Sequence, residues 1–144
     1  MDTNKNQTKY EDTKVSTRVK LSALWASVTF CYLYGDYLGN FVPGFIQEVT
    51  AGNMGFMGPV TQETMLAGAM LMSLPCIMVF LSLVLPVVIN RWTNIVMGFF
   101  YTGTMIVTLI MDSWLYYFYL GFIEVSLTLL VVWFAWSWPI QNDN

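Results

Sequence analysis

The chain has 144 residues and a formal net charge of −3; 56% of its residues are hydrophobic and 10% charged, against roughly 25% charged in an ordinary soluble domain. The first twenty positions hold eight of the fifteen charges, leaving Asp36, Glu48, Glu63, Arg91, Asp112, Glu124 and Asp143 for the rest. This excludes a typical water-soluble globule, and it leaves no room for a separate catalytic domain, because four passes at about 20 residues each consume most of the chain.

Residues 1–20, rich in Asn, Thr and Lys, cannot bury a core and are expected to form a mobile head. Four apolar segments follow, at 21–38, 64–89, 92–111 and 116–138, with a six-residue tail at 139–144. A span must satisfy its own backbone polar groups where no water is present, and none of the segments alternates as a strand would, so all four are expected to be α-helices. The predicted fold is therefore all-α, a polytopic membrane protein built as a four-transmembrane-helix bundle in domain 21–138. Pro75 is expected to bend the second span, because its missing N–H breaks the hydrogen-bond ladder. A cleaved signal peptide ending near Val49-Thr50-Ala51 fits poorly, since the 18-residue apolar run is long, contains Asp36, and stops more than ten residues short of that site.

Lys5, Lys9, Lys14, Arg18 and Lys20 precede the first span and Arg91 lies between the second and third, so every basic residue falls on one side. By the positive-inside rule both termini and an Asn90–Trp92 turn are cytoplasmic, Arg91 is a topology anchor, and dual topology is disfavoured. Trp25, Trp92, Trp133, Trp136 and Trp138 are expected at the cytoplasmic interface and Trp114 at the outer one. The outer loop at 39–63 mixes Phe41, Phe45, Ile46, Val49 and Phe56 with four glycines and should lie on the membrane surface. Thr61 is a candidate N-cap for the second span, with Glu63 in the first turn.

Histidine is absent, and Cys31 and Cys76 stand alone in two spans, so neither a paired-cysteine redox site nor a His-Glu-x-x-His metal site is present. An enzyme is the least favoured class, and the chain is read as taking no cofactor and no nucleic acid. Met54, Met57, Met65, Met72 and Cys76 offer only a weak set of soft copper(I) ligands, since methionine usually fills apolar space.

The informative residues are Asp36 and Glu124, because a charged group at the centre of a membrane helix costs about 2.5–3.5 kcal/mol on insertion scales. Both fall in the outer half. Helical spacing places Ser22, Thr29, Tyr32, Asp36 and Asn40 on one face of the first helix, Asn94, Tyr101, Thr104 and Thr108 on the third, and Tyr117, Gly121, Glu124 and Thr128 on the fourth. These faces are expected to converge on an intramembrane polar pocket, with Gly35 and Gly39 allowing close backbone approach. Arg91 sits at the opposite membrane face, too far to neutralise either carboxyl. The carboxyls must then hold protons, accept Tyr and Thr hydroxyls, or meet a mobile cation. The expected partners are the lipid bilayer, a proton or small cation, and a second copy of the chain, as a lone four-helix bundle encloses little volume. The function expected is proton- or cation-coupled transport; the alternatives are a packing role for these carboxyls and an accessory or assembly subunit of a larger membrane complex.

The run Leu21-Ser-Ala-Leu-Trp25, the Tyr34-Gly-Asp36 and Pro43-Gly44 pairings, the stretch Asn90-Arg91-Trp92-Thr-Asn94-Ile, the Tyr119 to Glu124 segment and the Trp133 to Trp138 ending resemble a family of small bacterial four-helix membrane proteins of unknown function. The resemblance extends from about Lys20 to Trp138. It implies a four-helix bundle in a bacterial inner membrane and transfers no catalytic residues.

Overall fold

The computed structural model describes residues 14–55, 58–111 and 114–139. Of the head and tail expected from the sequence, 1–13 and 140–144 lie outside these residues. Among the described residues five helices occur: α1 (Thr17–Gly39), α2 (Phe45–Thr50), α3 (Gln62–Val84), α4 (Val87–Met111) and α5 (Leu115–Trp136). The all-helical expectation holds, but the count is five rather than four. The additional helix, α2, is a six-residue turn that follows Gly44, whose φ of 91° only glycine adopts without strain. It is too short to generate a periodic sequence signal.

Local chemistry sets the ends. Ser16 caps α1 by accepting from the Val19 N–H, and at its other end the Asn40 side chain donates to the carbonyls of Asp36 and Tyr37 at 2.9 and 3.3 Å. Thr61 caps α3 as the sequence indicates, in a reciprocal box with Thr64. The boundary between the second and third long helices differs from the sequence reading. Leu85 is extended (φ −64°, ψ 147°) ahead of Pro86, and α4 starts at Val87. Proline disfavours helical geometry in the residue before it, so Pro86, and not the polar Asn90-Arg91-Trp92 triplet, makes the break. Those three residues lie in the first two turns of α4.

The helix α1 packs against α3 and α5, and α5 packs in turn against α4, whereas α3 and α4 touch little. The core consists of Leu21, Trp25 and Val28 from α1, Met78 from α3, Ile95 and Tyr101 from α4, and Val131 and Ala135 from α5. Large apolar side chains also cover the outside: Val88, Ile110, Leu115 and Phe122 are 69–85% exposed. A monomeric water-soluble protein rarely shows so continuous an apolar surface. Three helices, α3, α4 and α5, are long and apolar enough to cross a membrane. The first, α1, carries Arg18, Lys20 and Asp36 and is not among them.

Close approach occurs at glycines other than the expected pair. A Cβ on Gly98 of α4 would lie 2.6 Å from Val132 Cγ2 and 3.2 Å from the Thr128 carbonyl oxygen, and one on Gly121 of α5 2.6 Å from both Leu109 Cδ2 and Met105 Cε. Gly35 and Gly39 would make only ordinary contacts, at 3.8 and 3.5 Å. The tightest helix pairing is thus α4 on α5.

Both prolines of the second hydrophobic segment leave a carbonyl without its helical donor, and α4 supplies the substitute in each case. Pro75 cannot donate to Leu71, whose carbonyl accepts the Tyr101 hydroxyl at 2.5 Å. Pro86 cannot donate to Ser82, whose carbonyl accepts the Asn90 side-chain amide at 2.6 Å. An unpaired buried carbonyl is costly, so these bonds couple α3 to α4 where direct packing is slight. Tyr101→Phe should lower stability by about 1 kcal/mol, and by clearly less in a Pro75→Ala background, where the alanine N–H restores the missing donor. A double-mutant cycle on unfolding midpoints in detergent checks this; equal losses in both backgrounds would refute the coupling.

Candidate functional site

The polar side chains inside the bundle form two groups. The first lies near the N-terminal end of α1 and is completely buried. Asn94 is its hub: its Oδ1 accepts from Trp25 Nε1 at 2.7 Å and from the Ser82 hydroxyl at 3.3 Å, while its Nδ2 donates to the Asn90 carbonyl at 2.8 Å and to Asn90 Oδ1 at 2.7 Å. Trp25, Ser82, Asn90 and Asn94 are each 0% exposed. The network joins α1, α3 and α4 and satisfies the amides that compose it. Trp25 is therefore a core residue with a bonded indole N–H, not a member of the interfacial belt, whereas Trp92, Trp133 and Trp136 are more than half exposed at this end and Trp114 is exposed at the start of α5.

The second group lies further along the bundle and contains the two carboxylates. Glu124 is 2% exposed on α5, and its Oε2 is buried with no hydrogen-bond partner among the described residues. The Tyr32 hydroxyl of α1 is likewise buried and unpartnered among them. Tyr32 lies within electrostatic reach of Glu124, Tyr101, Tyr117 and Asp36, and Glu124 within reach of Asp36. The rings of Tyr32 and Tyr101 meet edge to face at 5.9 Å. Asp36 is exposed, one turn from the C-terminal end of α1.

The remaining residues expected to line this pocket divide by how their hydroxyls are used. Thr29 donates to the Trp25 carbonyl, Thr104 to Phe100 and Thr108 to Met105, each within its own helix. Such i−4 and i−3 bonding is how Ser and Thr satisfy themselves in an apolar setting. Thr128, 1% exposed, sits 2.7 Å from the Thr102 hydroxyl and bridges α5 to α4. Tyr101 is committed to the Leu71 carbonyl. Tyr117 is half-buried beside Tyr116, with ring centroids 6.2 Å apart. The structure thus sets Tyr32 within reach of both Tyr101 and Glu124, leaves Asp36 at the margin, and turns Thr29, Thr104 and Thr108 to local bonding.

Sequence reasoning passed over Ser82, Thr102 and the hub role of Asn90 and Asn94. One signal was available for Asn90: a proline at 86 frees the carbonyl at 82, and a donor four residues beyond the proline can reach back to it.

Arg91 acts within the fold. Its Nη2 donates to the Trp136 carbonyl at 3.4 Å, at the end of α5, and its guanidinium lies 5.8 and 5.9 Å from the Trp92 and Trp136 rings. Arg18 acts similarly, donating to the Leu83 carbonyl at 2.7 Å near the end of α3. Each arginine serves a neighbouring helix where its last carbonyls and negative dipole end are unsatisfied.

No group of three or more His, Cys, Asp or Glu residues positioned to hold a metal occurs among the described residues. Met65, Met72 and Cys76 are exposed along α3, and Met57 lies outside the described residues. The chemistry open to the second group is proton exchange or contact with a small cation, through a carboxyl and a phenol.

A family described as a family of unknown function (DUF6326) matches residues 9–144, reaching beyond both ends of the resemblance seen in the sequence. Neither the curated proteins nor the solved structures contain a match. With nearly its whole length covered, the chain belongs to the DUF6326 family of unknown function.

Proposed function

We propose that this chain is a four-span integral membrane protein, with both termini cytoplasmic in a bacterial inner membrane, that binds a proton or small cation at Glu124 as part of a coupled transport step. One observation carries the reading: the buried Asn94 network has its polar groups satisfied, whereas the equally enclosed Glu124 keeps an oxygen with no partner among the described residues. An unpaired carboxyl in an apolar interior is expensive, and a group that must take up and release a proton or cation cannot be permanently bonded. Asp36, exposed and within electrostatic reach, is positioned to draw a cation toward Glu124 from the outer end.

The first helix is the fourth span in this reading. Its 23 residues extend about 34 Å at 1.5 Å per residue, enough for a core of about 30 Å, and Arg18 and Lys20 lie in its first turn, where long basic side chains reach the interface.

The test is the full-length protein in liposomes containing a pH-sensitive dye, challenged with proton and alkali-cation gradients. The wild type should dissipate or couple to one of them, and Glu124→Gln should abolish the response while inserting and assembling normally. A Glu124→Gln protein that behaves as wild type refutes the assignment and favours an accessory subunit.

A further inference from the structure

The end of the bundle that carries the basic residues has a recess of about 630 Å³ between the start of α1 and the end of α5, lined in part by Lys14, Thr17, Lys20, Trp133, Phe134 and Ser137. Four cations occur at this end among the described residues, and two of them are committed: Arg18 to the Leu83 carbonyl and Arg91 to that of Trp136. The two lysines are the cations of the recess. Lys20 Nζ lies 5.1 Å from the centre of the Phe134 ring, which holds the ammonium between α1 and α5. Lys14 also borders an adjoining recess of about 390 Å³ with Val87 and Trp138.

No anion among the described residues answers these charges. Their acidic side chains, Asp36, Glu48, Glu63 and Glu124, lie in the last turn of α1, in α2, in the first turn of α3 and in the first half of α5, all toward the other end of the bundle. The first turn of α1 contains no acid, so its positive dipole end adds to the lysines and is not offset by them. The walls are mixed, with two hydroxyls at Thr17 and Ser137 and the aromatic surfaces of Phe134 and Trp133, the latter 64% exposed.

We infer that this recess binds the phosphate headgroup of an anionic phospholipid. Lys14 and Lys20 supply the counter-charge, Thr17 and Ser137 supply hydroxyl donors, and Trp133 and Phe134 meet the glycerol and upper acyl chain. A lipid, and not a free phosphate ester, is favoured because Trp133 and Phe134 of α5 line the recess and the neighbouring Leu129, Leu130 and Trp136 of the same helix are exposed, an apolar surface that suits an acyl chain. The inference rests on the membrane placement proposed above but not on the role of Glu124.

Native mass spectrometry of the full chain, released from micelles containing equal mole fractions of phosphatidylglycerol and phosphatidylcholine, tests it. The wild type should retain phosphatidylglycerol about tenfold in preference or more, from two lysines acting together. Lys14→Gln/Lys20→Gln should remove the preference, Lys14→Arg/Lys20→Arg should keep it, and Lys5→Gln/Lys9→Gln, which removes the same charge from the head of the chain, should leave it intact. Equal loss in the Lys5/Lys9 variant would show diffuse attraction by the basic segment and overturn the site, as would persistence in the Lys14/Lys20 glutamine variant or loss in the arginine variant. Displacement of the lipid by millimolar glycerol phosphate would overturn the lipid assignment in favour of a free phosphate ester.

Discussion

Asn94→Leu should destabilise the helix assembly by about 2–4 kcal/mol. The leucine fits by volume, so the effect is polar. Removing the Asn94 amide strands the Trp25 indole N–H, the Ser82 hydroxyl and Asn90 Oδ1 in sites that water does not reach. Each unsatisfied buried group costs about 1–3 kcal/mol. The expected loss lies at and just below the bottom of the summed range of about 3–9 kcal/mol, because hydrogen bonds between membrane helices average well under 1 kcal/mol when the separated helices find other partners. Unfolding of the purified protein in detergent, followed by tryptophan fluorescence, reads the change directly. Trp25→Phe, which removes one donor and leaves the amides bonded to each other, should lose less than half as much. Equal losses would mean that the indole's packing, and not the Asn94 hub, joins α1 to α4.

This hub marks the boundary of what the sequence discloses. The long apolar helices follow from composition and length, and the inward face of α5 follows from spacing, since Gly121, Glu124 and Thr128 are all buried on one side of it. Those are properties of one segment at a time. The partners are not: Asn90 and Asn94 look like a polar turn because the reading of a polar triplet between two apolar runs is local, whereas their role depends on α3 ending at Pro86 and on Trp25 arriving from a helix 69 residues away. Tyr101 illustrates the same limit. Its position on the polar face of α4 is visible in the periodicity, but its use is decided by Pro75 on another helix. Gly35 and Gly39 show the converse error: four-residue spacing of small residues permits close approach, and only the packing of α4 on α5 determines that Gly98 and Gly121 use it.

Glu124→Met should raise stability by about 1–3 kcal/mol while eliminating any proton or cation response. The sign distinguishes a carboxyl retained for function from one retained for packing. Glu124 is 2% exposed and its Oε2 has no partner among the described residues, with the equally unpartnered Tyr32 hydroxyl on the facing helix. Methionine approximates the glutamate in length, removes the desolvated polar atoms, and can adjust its flexible thioether to the space between α1, α4 and α5. Replacing a poorly satisfied buried polar group by an apolar one of similar volume is often neutral or stabilising, and sites held for activity are where a protein carries such a penalty. If the carboxyl instead fixes the helices through hydrogen bonds, Glu124→Met should lower the unfolding midpoint, as Asn94→Leu does, and Glu124→Gln should fall between it and the wild type. Measured together in one detergent, the two substitutions separate the groups: loss at Asn94 with gain at Glu124 assigns the first to architecture and the second to function, whereas loss at both makes the whole polar interior structural.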